Sequence, residues 1–202
     1  MHVIELIGES GVGKSYYSQI LSEKNGYQRI KQFYYTKWDL LFLGIPALRF
    51  TLRLKPENQY FNKIFFRALY LIKYRRFLKS VKTQVVLDQG IIYKVDQLNR
   101  YCQRSYSWIK SLVLDTYKIP LPDLVVHIYS NRDLVYRRRL VRQKDMDKNL
   151  NTYKREGVTE ISEVKQKLIE DLSIPFAEYF SKGDDEELFI SFIDDLVYQT
   201  PL

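Results

Sequence analysis

The sequence predicts an α/β fold in which five short strands alternate with helices, the pattern of a parallel sheet covered on both faces. Three observations carry this expectation. The apolar run Val3 to Ile7 leads straight into a glycine-rich stretch and then into a helical pattern. The run Gln84-Val85-Val86-Leu87 reads as a second buried strand and ends on an acid, Asp88. The run Asp123 to Tyr129 follows Pro120 and Pro122 and precedes a strongly basic helix.

Taken in order, the first strand is Val3 to Ile7, and a helix follows from Lys14 to Lys24, stopped by Asn25-Gly26. Tyr27 to Gln32 forms a short second strand. A long aromatic and basic segment, 33 to 82, comes next. Within it Phe61, Ile64, Phe65, Ala68, Leu71, Ile72 and Leu78 recur at helical spacing. Lys73, Arg75, Arg76 and Lys79 cluster in its last turns, where they suit the negative end of the helix dipole. Helices fill 91 to 117. The basic helix runs from Asn131 to about Lys144, a polar loop occupies 145 to 159, and a helix from about Ile161 to Leu172 shows one apolar face. Pro175 is suited to opening a further helical piece, and Leu188 to Ile193 is expected to be the last strand.

The 202 residues fit a single domain spanning 1–202. With 46% hydrophobic and 28% charged residues the chain is globular rather than disordered. One cysteine, Cys102, excludes a disulfide framework within one chain and fits a reducing, cytoplasmic setting. Val3 to Ile7 is too short for a signal peptide, and no stretch reaches the length of a membrane span. The formal net charge of +8 attracts anions of any kind: nucleotides, nucleic acid or a membrane surface.

Gly8-Glu9-Ser10-Gly11-Val12-Gly13-Lys14-Ser15 fits the pattern G-x-x-x-x-G-K-[ST]. Glycines let the backbone curl so that successive N–H groups point at phosphate oxygens, and the positive end of the following helix adds to that field. The run Gly8 to Ser15, with Tyr16 next to it, is therefore the expected ATP-binding element. Lys14 is placed to reach the β- and γ-phosphates and Ser15 to ligate Mg²⁺. Asp88 is a second candidate, as a Mg²⁺ ligand or as a base for an acceptor hydroxyl. Arg138 and Arg142 lie four apart on one helical face, with Arg139 three from Arg142. Guanidinium groups converging from such a helix neutralise charge on a transferred phosphoryl group.

Together these elements resemble the P-loop nucleoside and nucleotide kinases, the group of adenylate, thymidylate and deoxynucleoside kinases. The resemblance runs through most of the chain: the Walker A motif, then Val85-Val86-Leu87-Asp88-Gln89-Gly90, then Pro122-Asp123-Leu124-Val125-Val126-His127-Ile128, the arginines at lid spacing, and Leu188 to Asp194 as last strand. It implies a three-layer P-loop NTPase fold with sheet order 2-3-1-4-5, ATP and Mg²⁺, and transfer of the γ-phosphoryl group to a small-molecule acceptor. It also implies an acceptor-binding segment at about 33–82 and a lid at about 131–159. Lys14, Ser15, Asp88, Arg138 and Arg142 carry over onto matching positions. Two positions depart from the family pattern. The end of strand 2, Arg29-Ile30-Lys31-Gln32-Phe33, has no carboxylate, and Gln89 stands where an arginine usually follows the strand-3 acid.

The leading expectation is thus an ATP-dependent kinase for a nucleoside, nucleotide or sugar-type acceptor; the alternative is a regulatory or assembly ATPase with no such acceptor. No nucleic-acid motif accompanies the basic charge, so nucleic acid is not an expected partner. The apolar run near Leu40-Leu41-Phe42-Leu43, beside basic residues, leaves a peripheral contact with an anionic membrane open, and the family leaves a homodimer open.

Overall fold

The computed structural model describes residues 2–30, 33, 35–143, 160–183 and 185–199. Five strands, β1 (Val3–Ile7), β2 (Gln28–Ile30), β3 (Val85–Leu87), β4 (Leu124–Tyr129) and β5 (Phe176–Phe180), form one sheet of order β2-β3-β1-β4-β5. Every pairing is parallel, with Glu5 opposite Leu87 and Ile7 opposite His127. Parallel neighbours need crossover connections, and helices supply them. These are α1 (Lys14–Lys24), α2 (Lys37–Leu54), α3 (Phe61–Leu78), α4 (Ile91–Tyr101), α5 (Tyr106–Ser111), α6 (Arg132–Gln143) and α7 (Glu163–Asp171); α8 (Glu186–Gln199) follows the last strand.

The central strands β1, β3 and β4 are apolar but for Glu5 and His127, because both their faces are covered. Alternation divides each strand between two cores. Val3, Ile7, Val85, Leu87 and Val125 pack with Ala47, Phe50, Ile64, Ala68 and Leu98 of α2, α3 and α4. Ile4, Leu6, Val86, Val126 and Ile128 pack with Tyr17 and Leu21 of α1 and with Phe189 and Ile193 of α8. Glu5 shares parity with Val3 and Ile7, so its carboxylate enters the core on the α4 side.

Two linked sequence expectations are corrected. The last strand is β5, Phe176–Phe180, not Leu188 to Ile193, which lies inside α8. Pro175 accordingly precedes a strand rather than opening a helix; its carbonyl accepts from the Val125 N–H at 2.9 Å as β5 joins β4. The physical reason is the spacing of Phe189, Ile193, Leu196 and Val197, which are three or four apart and lie on the face turned to the sheet. The expected loop at 145–159 lies outside the described residues.

Candidate active site

β1 and β3 are neighbours, so the residues that follow their C-terminal ends meet. After Ile7 the chain turns through Gly8 to Gly13 and enters α1 at Lys14. Gly8 has φ +139°, and a Cβ there would lie 2.2 Å from the Ile128 carbonyl oxygen of β4. Only glycine lets the loop leave the sheet at that point. The Lys14 ammonium folds back over the loop and donates to the carbonyls of Gly8 at 2.9 Å and Glu9 at 2.7 Å.

Asp88 follows β3 and is almost wholly buried. The Ser15 hydroxyl donates to its Oδ2 at 2.6 Å. The Arg29 guanidinium donates to the Ser15 carbonyl at 2.7 Å and stands 3.9 Å from the same Asp88 oxygen. The Asp88 N–H in turn donates to the Ile30 carbonyl at 3.2 Å, which ties β2 to the site. Around this cluster lies a cavity of about 300 Å³ lined by Gly8, Ser10, Gly11, Gly13, Lys14, Ser15, Asp88, Gln89 and Tyr93.

The α6 helix reaches the same loop. Arg138 Nη1 donates to the Val12 carbonyl at 3.1 Å. Arg139 Nε donates to the Ser10 carbonyl at 2.7 Å, and its Nη2 lies 3.4 Å from Glu9 Oε2. Arg142 lies on α6, and its side chain is outside the described residues. Of the remaining expected residues, Val12 is buried among core side chains, and the Tyr16 hydroxyl donates to Glu186 of α8 at 2.7 Å. Neither lines the cavity.

A second cavity, about 480 Å³, opens between α3 and α4 and is lined by Tyr35, Lys63, Phe66, Arg67, Tyr70, Gln89, Lys94 and Gln97. Gln89 lines both cavities, and the Tyr70 hydroxyl donates to its carbonyl at 2.8 Å. The wall between the cavities is held from below. Glu5, fully buried, accepts from the N–H groups of Ile92 at 3.1 Å and Tyr93 at 3.0 Å, two of the orphan donors at the start of α4. Gly90 passes so close that a Cβ there would lie 2.5 Å from Glu5 Oε2. Burial pushes the Glu5 carboxyl up to about 7, against the opposing pull of those N–H groups and of Lys94.

Gln89 and Tyr93 line the first cavity, and Arg29 and Arg139 bond the Ser15 and Ser10 carbonyls beside it, without having been singled out as site residues. Their signal in the sequence was positional: Gln89 and Tyr93 follow the strand-3 acid at the start of a helix, and Arg139 adjoins Arg138. The residues present fit a triphosphate with its metal. The loop offers a glycine cradle, the lysine and the arginines supply positive charge, and Ser15 beside Asp88 offers two hard oxygen ligands. Among the described residues there is no cluster of three or more His, Cys, Asp or Glu. Such a pair suits Mg²⁺, which keeps waters and takes substrate phosphates as further ligands.

A glycine loop on the central strand, an acid on its neighbour and the order 2-3-1-4-5 define the fold of the P-loop nucleoside kinases. Solved structures agree. The chain is similar to deoxyadenosine kinase from M. mycoides with bound dCTP, at 17% identity and a TM-score of 0.56, over 97% of this chain and 99% of that one. It is similar to the same enzyme with bound dATP, at 17% identity and a TM-score of 0.51, over 96% and 99% of the two chains. A third structure, with the products dCMP and a flexible dCDP bound, matches at 16% identity and a TM-score of 0.51, over 98% and 99%. No protein-family model and no curated protein matches the chain.

Proposed function

We propose that the chain is an ATP-dependent small-molecule kinase. The observation that carries this reading is the pair of cavities sharing Gln89, one built on the Walker A loop and the other walled by aromatic and basic side chains. An ATPase that only drives a conformational change needs the first cavity alone. The deoxyadenosine kinase structures, with nucleotides bound, support a phosphoryl-transfer reading of the same fold.

In this reading ATP supplies the phosphoryl group and Mg²⁺ neutralises its charge. The N–H groups of Gly8 to Ser15 cradle the phosphates, and Lys14 leaves its loop carbonyls for them. Ser15 and Asp88 hold the metal; the short Ser15–Asp88 contact favours that role for Asp88 over that of a base. Arg138 and Arg139 bring α6 onto the loop, with Arg142 on the same helix. The cavity between α3 and α4 positions the acceptor, the main contribution a protein makes to phosphoryl transfer. ADP release from Mg-ATP, measured against nucleosides, nucleoside monophosphates, sugars and sugar phosphates, tests this. One acceptor class stimulates turnover, and Lys14→Ala removes the stimulation. ATP binding with no acceptor-dependent turnover would instead favour the regulatory ATPase.

A peripheral contact with an anionic membrane is supported by one face of α2. Trp38, Leu41, Phe42, Ile45 and Leu52 recur along it at helical spacing, each more than half exposed. Arg49 and Arg53 lie on the same helix, and the chain's charge of +8 favours an anionic surface over a second copy of itself. Among the described residues no helix is long and apolar enough to cross a membrane, so the contact is one of lying on the surface. Co-flotation with phosphatidylglycerol vesicles but not phosphatidylcholine vesicles, lost in Phe42→Asp, is the expected result.

A further inference from the structure

The cavity between α3 and α4 has three cations in its wall, Lys63, Arg67 and Lys94, and no carboxylate. Three other partly buried lysines among the described residues stand beside acids: Lys73 is 2.7 Å from Asp39, Lys110 is 3.0 Å from Asp171, and Lys165 is 3.8 Å from Asp96. The three in the cavity are held differently. Arg67 donates to Gln97 Oε1 and to the Lys63 carbonyl, each at 2.7 Å. The Lys94 ammonium lies 4.6 Å over the ring of Tyr70 and 5.4 Å over that of Tyr93. The Lys63 ammonium lies 5.4 Å over Tyr60 and 5.6 Å over Tyr101. Amide, carbonyl and aromatic partners orient a cation, and none of them carries a full negative charge.

The arrangement is costly when empty of an anion. Burial, and then the charge of Arg67, push the Lys94 ammonium down to about 8, with Glu5 pulling the other way. Burial lowers Arg67 as well. A group that brings its own negative charge relieves both. Arg67 is suited to two-point recognition of phosphate or carboxylate oxygens, and Lys94 to a point charge. The aromatic part of the wall, Tyr35, Phe66 and Tyr70, offers flat faces for a ring.

We propose that this cavity takes a small ring-bearing acceptor with an anionic group of its own, a phosphate monoester or a carboxylate, held by Arg67 and Lys94 with Lys63 at the rim. The proposal rests on the kinase reading for the word acceptor; the anion site itself does not. It separates this chain from a kinase whose acceptor is a neutral nucleoside or sugar.

The test is calorimetric binding without ATP or Mg²⁺, at low salt, to matched pairs: thymidine and thymidine monophosphate, adenosine and adenosine monophosphate, glucose and glucose 6-phosphate, glucose and glucuronate. The anionic member of at least one pair binds about tenfold tighter or more, the order expected of one charge-assisted hydrogen bond. The pair that responds identifies the anion and the ring. Arg67→Gln removes the difference, Arg67→Lys retains part of it, and Lys14→Ala leaves it intact. Lys63 is exposed, so Lys63→Glu keeps the fold and weakens only the anionic ligands. Equal affinity within every pair overturns the proposal. So does a preference that vanishes in Lys14→Ala, because the anion is then on the glycine loop. Acceptor-dependent ADP release is scored separately. Transfer to a neutral acceptor with no anion preference would keep the kinase and discard this site, whereas the preference without transfer to any acceptor would do the reverse.

Discussion

Glu5 makes the stability of this protein depend on pH in a window where most carboxylates are silent. Its carboxyl, with an ordinary value of 4.5, is pushed up to about 7 by complete burial under the start of α4. Between those values the unfolded chain releases the Glu5 proton and the folded chain keeps it, so stability falls as pH rises. The interval from 4.5 to about 7, at about 1.4 kcal/mol per pH unit, amounts to about 3 kcal/mol. Above pH 7 the loss is complete, and the ionised carboxylate is held by the N–H groups of Ile92 and Tyr93. The other shifted groups act elsewhere: Asp39, held at about 2 by Lys73 and the Thr36 N–H, titrates well below this window, and Lys94, at about 8, above it. Urea unfolding of the native protein and of Glu5→Gln from pH 5 to 8 isolates the effect. The variant carries a constant cost for turning an amide toward backbone donors, but its stability does not follow this titration. The difference between the two proteins should therefore shift by about 2.5 kcal/mol across the series, which begins half a pH unit above the ordinary value, in favour of the native protein at the acid end. A difference that stays constant with pH would refute the assignment.

Three further outcomes are expected. Gly8→Ala forces a Cβ against the Ile128 carbonyl and strains the backbone at positive φ; about 3 kcal/mol of stability is lost, read as a lower urea midpoint with unchanged slope. Asp88→Asn keeps an acceptor for the Ser15 hydroxyl and so keeps the fold within about 1 kcal/mol, while Mg²⁺-dependent turnover falls about a hundredfold or more; unchanged turnover would remove Asp88 from the metal site. Affinity for an anionic acceptor weakens as pH rises through about 8, because Lys94 then loses its charge in a setting shared with Arg67, Glu5, Tyr70 and Tyr93. Lys94→Arg abolishes that dependence, which pH titration of binding measures directly.

The glycine loop, β1, β3 with Asp88, and β4 were legible because each couples a continuous apolar run to a local signal, a glycine pattern, a terminal acid or a proline break. β5 was not. Phe176-Ala177-Glu178-Tyr179-Phe180 is an edge strand with three exposed positions, and Glu178 interrupts its short apolar pattern just after Pro175, a residue that reads equally well as a helix start. The denser run from Leu188 to Ile193 attracted the strand assignment, although short apolar runs do not separate strand from helix by periodicity. The cavity between α3 and α4 was hidden for a different reason. Family resemblance pointed to segment 33–82 alone, whereas Arg67 and Lys94 come from two helices separated by β3. Only tertiary packing places both in one wall.

The departures from the kinase pattern at the ends of β2 and β3 now have a common electrostatic reading. Where the family carries an acid at the end of strand 2, the stretch Arg29-Ile30-Lys31-Gln32-Phe33 has none, and Arg29 is bound to the Ser15 carbonyl and stands beside Asp88. Asp88 is the single carboxylate among the described residues lining either cavity, and its Oδ2 is turned to Ser15 at the glycine loop. Where the family carries an arginine after that acid, this chain has Gln89, and its positive charge sits instead on Lys63, Arg67 and Lys94 at the far side of Gln89. A neutral hydroxyl acceptor benefits from a base near its nucleophile and gains little from three cations. An acceptor that arrives ionised needs no base and gains from all three, since a phosphate monoester has a second pKa near 6 and is largely dianionic at neutral pH. On the proposed reading, the absence of the strand-2 acid and the presence of the cationic wall are two consequences of one acceptor chemistry.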